Sequence, residues 1–409
     1  MALIASMLVY ALKNSGTSPV PAPIDQLDAS ADAGRYLARI ANCATCHTAE
    51  GGQPYAGGRE FRTPFGTLYS TNITSDNETG IGGWSFQDFH DAMKHGERPD
   101  GTQLYPAFPY TAFARLTDSD IASLYLYMRT IEPVSNTGKP NALRFPYSVR
   151  PLMRFWKALF HDGDTYEPDR TRSAMWNRGA YLVEGPGHCG ACHTPRNFLG
   201  AEREDLALTG GSIIDKVGAG KFREWSSANL TPAKVGLSRW SESDIAAYLK
   251  TGKNVHTVVQ GPMNEVVMDS TSHLDDADLQ AIASYLKGIP ANAQASGRVP
   301  DEAGKETGEV LYTVHCGTCH LPTGEGDEIL GVPLAGNPIV QAANPSSLIN
   351  IILYGPQLPP PPFVVDRTLM KMHGKRLSDA DIASIASYIR TSFGNEAGAV
   401  TPEQVKRQR

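Results

Sequence analysis

The sequence predicts an all-α protein built from three tandem domains. The chain has 409 residues, which is too long for one ordinary hydrophobic core and suits several domains. One five-residue motif, C-x-x-C-H, occurs three times, and an amphipathic helix with a capping residue at its start follows each copy. No stretch of useful length alternates apolar and polar residues as a half-buried strand does.

All six cysteines belong to the three motifs, which leaves none for a disulfide. C-x-x-C-H is the attachment motif of c-type haem. On a helical turn, positions i, i+3 and i+4 share a face, so two thiols can bond the vinyl groups while the histidine reaches the iron. A zinc site would need four ligands, and a redox-active cysteine pair needs no histidine. We therefore predict three covalent haem c groups, attached through Cys43, Cys46, Cys189, Cys192, Cys316 and Cys319, with His47, His193 and His320 as iron ligands.

The repeat extends beyond the motifs. A short helical segment precedes each motif, and Thr, Ser or Asp caps the helix that closes each unit. In the first two units Asn72-Ile73-Thr74 recurs as Asn229-Leu230-Thr231, and Trp84-Ser85 recurs as Trp240-Ser241 at the start of another helix. The predicted division is an apolar segment and linker at 1–29, domain 1 at 30–135, a linker at 136–172, domain 2 at 173–290, a linker at 291–303, domain 3 at 304–395 and a polar tail at 396–409.

The N-terminal segment Met1–Leu12 is apolar and ends at Lys13. As a helix it would be roughly 18 Å long, shorter than the ~30 Å hydrocarbon core of a bilayer. We expect the remnant of an export signal or a membrane anchor, with a frayed apolar terminus as the alternative. The net charge of −6 gives no reason to expect nucleic-acid binding, which calls for a basic face.

An electron-transfer haem needs a second axial ligand, and methionine in that position raises the potential. In the second unit Met263 follows Gly-Pro in the loop before the closing helix, and the nearby Met268 more naturally packs in the core. In the third unit Met370 precedes Gly374 by four residues and Leu377 by seven, which resembles the M-P-x-F-G-x-x-L pattern of small cytochromes c, although Lys371 stands where proline is common. Met372 and His373 remain alternatives to Met370.

The first unit departs from this pattern. Its loop at 104–110 has the form of a ligand loop, but Phe108 stands where methionine belongs, and phenylalanine cannot bind iron. His90, Met93 and His95 are substitutes on or near the preceding helix, and His95 is the preferred candidate because the next residue, Gly96, ends that helix. An iron without a sixth protein ligand is the other alternative. His188 and His315, which directly precede attachment cysteines, are expected to face away from the iron.

With these motifs, the chain resembles the tri-haem cytochrome c subunit of bacterial membrane-bound dehydrogenases, the family that serves alcohol, aldehyde, gluconate, sorbitol and fructose dehydrogenases. The resemblance covers roughly residues 30–395 and implies three class I cytochrome c-like domains. It also implies that Met263 and Met370 are distal iron ligands, whereas Phe108 puts methionine ligation of the first haem in doubt. The segments that carry it, besides the three motifs, are 63–74, 80–89, 104–113, 188–197, 261–267 and 377–395.

The resemblance further implies a role at the periplasmic face of the inner membrane, without catalytic residues of its own. There the chain is expected to pass electrons from a separate catalytic dehydrogenase subunit to ubiquinone. The alternative is a stand-alone haem enzyme or ligand-binding cytochrome that acts at an open first haem. Such a site requires polar distal groups, and the loop at 104–110 offers mainly aromatic ones, which favours the carrier.

Overall fold

The computed structural model describes residues 20–217, 220–294, 301–327, 329–360, 363 and 370–409. The segment Met1–Leu12, expected to be a signal remnant or an anchor, lies outside the described residues. The chain divides into two compact units, residues 1–172 with 180–188 and residues 173–179 with 189–409. In the described part of the chain, no helix is both long enough and apolar enough to cross a membrane.

The first unit is mainly helical, with one small sheet. Its helices are α1 (Ala31–Ile40), α2 (Cys43–Cys46), α3 (Phe86–His95), α4 (Tyr110–Phe113), α5 (Asp118–Met128) and α6 (Met153–Phe160). Its strands are β1 (Glu60–Thr63), β2 (Gly66–Tyr69) and β3 (Ala142–Leu143), and short 3₁₀ turns lie at Ile24–Gln26 and Arg150–Leu152.

Helices α1 and α5 cross closely and form the centre of the first unit. The Ser30 side chain accepts a hydrogen bond from the Ala33 amide at the start of α1, which satisfies one of the free N–H groups of that helix. The two helices meet at Gly34, where a Cβ atom would lie 1.9 Å from the carbonyl oxygen of Ser123. Only glycine allows the two backbones to approach this closely.

The all-α prediction holds in part, because the helix-rich first unit also contains a small three-stranded sheet. Strands β1 and β2 form an antiparallel hairpin, and β2 also pairs with β3 from the segment predicted to be a linker. The strands have at most four residues and mostly half-buried side chains, so their sequence shows no alternation. Gly66 (φ 130°) permits close pairing, since a Cβ atom there would lie 2.5 Å from the Ala142 carbonyl oxygen.

The second unit contains two of the three motifs. Helix α7 (Ala174–Glu184) begins in this unit and ends in the first. The other helices are α8 (Gly190–His193), α9 (Glu242–Thr251), α10 (Met263–Asp269), α11 (Asp276–Gly288), α12 (Glu302–His315), α13 (Gly317–His320), α14 (Ser346–Tyr354), α15 (Asp379–Thr391) and α16 (Pro402–Gln408), with 3₁₀ turns at Glu204–Leu206 and Thr271–His273 and strands β4 (Ser212–Lys216) and β5 (Phe222–Ser226).

The glycine crossing of the first unit recurs twice in the second. At Gly179, in the part of α7 that belongs to this unit, a Cβ atom would lie 1.9 Å from the carbonyl oxygen of Ala281 in α11. At Gly308 in α12 it would lie 2.4 Å from the carbonyl oxygen of Ser384 in α15. Each motif is thus preceded by a helix that crosses a closing helix through a glycine, which is the repeat expected of three similar domains. The bounds of those domains stay a prediction.

The predicted helix starts are confirmed where a serine precedes an aspartate by three residues. Each serine side chain accepts from the backbone N–H of that aspartate, whose carboxylate in turn accepts from the serine N–H. The C-terminal ends of α3 and α9 also follow from the sequence, because Gly96 (φ 59°) and Gly252 (φ 74°) end these helices in the left-handed conformation that glycine favours. The capping pairs are Ser85 with Asp88, Ser241 with Asp244, and Ser378 with Asp381.

A second hairpin that the sequence analysis missed joins two parts of the second unit. Strands β4 and β5 pair antiparallel over five residues each. The edge of β5 is bound by α14, because Ser226 and Ser347 exchange backbone-to-hydroxyl hydrogen bonds of 2.9 and 3.1 Å. Asn350 adds a hydrogen bond of 2.8 Å to the Glu224 carbonyl. The hairpin is therefore stabilised by non-local partners, which its own sequence does not reveal.

Residues 396–409, expected to form a polar tail, contain helix α16 instead. Thr401 and Gln404 form a capping box at its start. Val405 is fully buried in the core beneath α14 and α15. The Tyr354 hydroxyl donates to the Gln408 carbonyl at 2.6 Å, and Arg409 forms an ion pair of 2.7 Å with Asp379. One buried valine on a seven-residue helix is too weak a pattern to recognise by sequence alone.

Candidate haem attachment sites

Each C-x-x-C-H motif lies on a single helical turn. The cysteines therefore lie about one turn apart on the same face, and the histidine follows at the end of the turn. Asn42 enters the first turn with a left-handed backbone (φ 52°), and the Thr45 hydroxyl donates to its side-chain oxygen at 2.5 Å. All six motif cysteines are half-buried.

The three motif histidines have the same hydrogen-bond arrangement. In each, the Nδ1 atom lies within 2.9 Å of a backbone carbonyl oxygen, which can only accept, so Nδ1 carries the proton. The other ring nitrogen, Nε2, is then the unprotonated one and is able to bind a metal. The pairs are His47 with Thr71 (2.7 Å), His193 with Ala228 (2.8 Å) and His320 with Val332 (2.9 Å).

The recurring Asn-x-Thr sequence fixes the first two of these carbonyls. Asn72 follows Thr71, and its side-chain oxygen accepts from the Thr74 amide at 2.9 Å and from the Thr74 hydroxyl at 2.8 Å. Asn229 and Thr231 repeat both bonds at 2.8 Å, immediately after Ala228. The repeat noted in the sequence is therefore a device that orients the motif histidine. The third site uses a different loop, in which Gly331 precedes the accepting Val332.

Two arginines that the sequence analysis did not single out hold the motif turns. Arg59 donates to the Thr45 carbonyl at 2.9 Å, and Arg196 donates to the Ala191 carbonyl at 3.0 Å. Thr45 and Ala191 occupy the same position, directly before the second cysteine of each motif. Arg196 stands four residues after Cys192, so its role could have been predicted from its closeness to the motif. Arg59 is more distant in the sequence from its partner, Thr45.

Burial sets the protonation of these groups. It raises the pKa of Cys43 and Cys189 to about 12 and that of Cys316 to about 11, with a smaller contribution from the neighbouring cysteine of each motif. The thiols therefore stay protonated near neutral pH and are poor candidates for thiolate redox chemistry. Burial also lowers the pKa of the three motif histidines, which keeps each imidazole neutral and able to act as a ligand.

The donor sets fit covalent haem c better than zinc. Each motif presents two thiols one helical turn apart and one neutral imidazole with an unprotonated Nε2. Within the described residues, the only group of three or more His, Cys, Asp or Glu side chains whose ligand atoms lie within 4.8 Å of one another is elsewhere, at His90, Asp91 and His95. The motif side chains are thus too far apart to surround one small ion as they stand.

The predicted distal ligands lie in different surroundings. Met263 is half-buried as the first residue of α10. Met370 is half-buried and packs against the same large core cluster as Cys316 of the third motif. Met372 is 54 % exposed, which disfavours it as an alternative. His373 is buried, with its ring centroid 6.0 Å from that of His315.

In the first unit, Phe108 lies among aromatic rings near the entrance to the first motif. Its ring centroid is 5.3 Å from that of Phe113, which lies 5.6 Å from that of His188. His188 Nε2 is 3.2 Å from the carbonyl oxygen of Ala41, two residues before Cys43. Two ring contacts and one hydrogen bond thus connect Phe108, through Phe113 and His188, to the residue two positions before Cys43.

The proposed substitutes for the missing methionine lie on helix α3. Met93 is buried in the core, and His90 is buried against Asp118 at the start of α5. The His95 ring lies 6.3 Å from the His90 ring, and burial lowers the pKa of His95 to about 4. The structure therefore places His95 beside His90.

Comparison with known proteins agrees with this site geometry. The sequence profile of the cytochrome c family matches residues 31–132 and 305–393. The chain is 40% identical to the cytochrome c subunit of the quinone alcohol dehydrogenase of Gluconacetobacter polyoxogenes, over 97% of this chain and 87% of that protein. It is 38% identical to the fructose dehydrogenase cytochrome subunit of Gluconobacter japonicus, over 100% and 89%.

A similar match is found with the gluconate 2-dehydrogenase cytochrome c subunit of Pantoea cypripedii, at 38% identity over 92% of this chain and 89% of that protein. These matches span nearly the whole length of both partners, including the second motif, which the family profile does not cover. The chain therefore belongs to the family of cytochrome c subunits of bacterial alcohol, fructose and gluconate dehydrogenases.

Proposed function

We propose that the chain carries three haem c groups and passes electrons from a catalytic dehydrogenase subunit to ubiquinone at the periplasmic face of the inner membrane. The observation that carries the proposal is the threefold recurrence of two thiols with one imidazole whose Nδ1 donates to a backbone carbonyl. Haem c supplies a one-electron carrier at each motif. The relatives are named as subunits of dehydrogenases, which supports a separate catalytic partner.

The chain's own residues hold and tune these groups. The six motif cysteines would provide the thioether bonds to haem c, and His47, His193 and His320 would each bind an iron. Met263 and Met370 would provide a second iron ligand at the second and third sites. Since thioether sulfur raises the potential of a haem, these two sites have the higher potentials. The first site, which has Phe108 in the corresponding loop, has the lowest.

A stand-alone enzyme acting at the first site is the weaker alternative. An enzyme that activates oxygen or peroxide needs hydrogen-bond donors on the distal side. Phe108 instead packs against Phe113, with the two ring centroids 5.3 Å apart. This apolar, aromatic loop favours an electron carrier.

The number of attached haems tests the proposal most directly. Intact mass after acid–acetone extraction should show three haem increments on the wild-type chain. Replacing both cysteines of the third motif (Cys316→Ala with Cys319→Ala) should leave two, and the same double replacement at either other motif should do likewise. A wild-type chain that retains two or fewer haems contradicts the proposal.

A further inference from the structure

A cluster of side chains on helix α3 is not explained by electron transfer. His90, Asp91 and His95 each place one potential ligand atom within 4.8 Å of the other two. The His90 side chain is 5 % exposed, and Asp91 and His95 are half-buried. The cluster lies where α3 ends and contacts the start of α5.

The orientation of the His90 ring is fixed from outside the cluster. Its Nε2 atom lies 3.2 Å from Oδ1 of Asp118, at the start of α5. A carboxylate only accepts hydrogen bonds, so Nε2 donates and carries the proton. In the neutral imidazole the opposite nitrogen, Nδ1, is then unprotonated, and it lies 3.8 Å from Oδ1 of Asp91. A carboxylate that holds one imidazole nitrogen while the other faces a ligand site is a common arrangement around bound metals.

The two atoms that face each other are both acceptors, and both lack a protein partner. His90 Nδ1 and Asp91 Oδ1 are buried, and neither meets a hydrogen-bond donor among the described residues. The other carboxylate oxygen of Asp91 is already used, because Gln87 Nε2 donates to it at 3.0 Å. Two buried acceptors in this position leave an unfavourable arrangement that a cation between them relieves.

The donor set indicates the class of cation. Two imidazole nitrogens and one carboxylate oxygen suit Zn²⁺ and neighbouring transition metals, whereas Ca²⁺ and Mg²⁺ prefer oxygen ligands. Zinc binds such atoms at about 2.0–2.2 Å, which separates the ligands of a tetrahedral site by roughly 3.4 Å. The present separation of 3.8 Å between His90 and Asp91 is close to that value.

We propose that His90, Asp91 and His95 bind one divalent transition-metal ion of the zinc class, with Asp118 as a positioning residue. The ion lies apart from the three haem motifs and joins the end of α3 to the start of α5 through His90 and Asp118. In this role His95 is committed to the ion, so it is not the sixth ligand of the first haem. The two roles predicted for His95 exclude each other and can be separated by experiment.

The test uses the purified holoprotein, treated with a chelator and then dialysed against micromolar Zn²⁺. Elemental analysis is expected to find one tightly bound zinc per chain. His90→Asn, Asp91→Asn and His95→Gln should each weaken binding by at least 100-fold. Asp118→Asn should weaken it by about 10- to 100-fold, as expected of a residue that orients a ligand. The control is His273→Asn, an exposed histidine in the second unit, which should bind zinc as the wild type does.

Wild-type protein that binds no more zinc than the double variant His90→Asn with His95→Gln overturns the proposal. If the His90 variant loses haem or helix content, zinc binding by the Asp91 and His95 variants tests the proposal instead, since these two residues are only half-buried. The iron content of each variant shows whether it has folded. Magnetic spectroscopy gives an independent reading, because His95→Gln should leave all three iron spectra unchanged. A change at one iron would make His95 a haem ligand and would also refute the zinc site.

Discussion

At the scale of single residues, Phe108 distinguishes the first site from the other two. Phe108→Met should supply a thioether at the loop position where methionine is expected and should raise one of three midpoint potentials by on the order of 0.1 V, a fraction of the roughly 0.8 V that axial ligands span. The other two potentials should stay the same. A redox titration with low-temperature magnetic spectroscopy measures both the shift and the number of methionine-ligated irons.

The neighbouring Phe113 provides the control for that substitution. Phe113 is buried and packs against Phe108, so Phe113→Met changes the same aromatic cluster without placing sulfur at the ligand position. It should leave all three potentials nearly unchanged. Three methionine-ligated irons in the unmodified protein would show that the ligand loop of the first site has been misplaced.

Another prediction at this scale concerns a buried lysine. The Lys94 ammonium is 4 % exposed and donates to the carbonyls of Ala114 and Leu116 at 2.8 and 2.6 Å, while burial lowers its pKa. Lys94→Met should destabilise the protein by about 2–3 kcal/mol, because these buried carbonyls lose their donor. Urea denaturation followed by circular dichroism measures the change in the free energy of unfolding.

Lys250 is the matched control because it occupies the equivalent position in the second repeat. It donates to the Leu274 carbonyl at 2.7 Å, but its side chain is 41 % exposed, so water can replace the lost hydrogen bond. Lys250→Met should cost less than about 1 kcal/mol. If the two variants lost the same free energy of unfolding, burial of the lysine would not be the cause of the destabilisation.

At the scale of secondary structure, the glycine crossings are the strongest constraint on packing. In Gly34→Ala the new Cβ atom would lie 1.9 Å from the Ser123 carbonyl, so α1 and α5 must separate. We expect a cost of about 3 kcal/mol, which corresponds to faster hydrogen exchange in both helices by roughly two orders of magnitude. Gly83→Ala is the control, since the nearest atom there would be 3.5 Å away and the residue is exposed.

The same scale shows what the sequence could predict. The helix starts at Ser85, Ser241 and Ser378 depend on an aspartate three positions further along the chain, so the local sequence pattern was sufficient to predict them. The hairpin β4–β5 was missed because its edge is held by Ser347, 121 residues beyond its partner Ser226. The motif cysteines and histidines were likewise predicted from a local pattern, whereas the carbonyls that orient those histidines depend on the fold.

At the scale of the whole molecule, the proposed function makes the three repeats a series of electron carriers. Within the described residues, the only compact group of potential metal ligands outside the motifs is the His90 cluster on α3. A carrier of the proposed kind would accept electrons from a catalytic partner and would leave the choice of substrate to that partner. The relatives are named as subunits of three different dehydrogenases, for alcohol, fructose and gluconate.

The isolated chain should accordingly oxidise no alcohol, aldehyde or sugar. Its haem spectrum should change to the reduced form only when a catalytic subunit and the substrate of that subunit are both present, and a ubiquinone analogue should then reoxidise it. Stopped-flow absorbance with the purified subunits measures both steps. The attached haems carry the electrons in both steps. A chain with all six motif cysteines replaced by alanine should therefore support neither reduction by the catalytic subunit nor reoxidation by the ubiquinone analogue. Steady substrate oxidation by the pure wild-type chain would instead make it an enzyme in its own right.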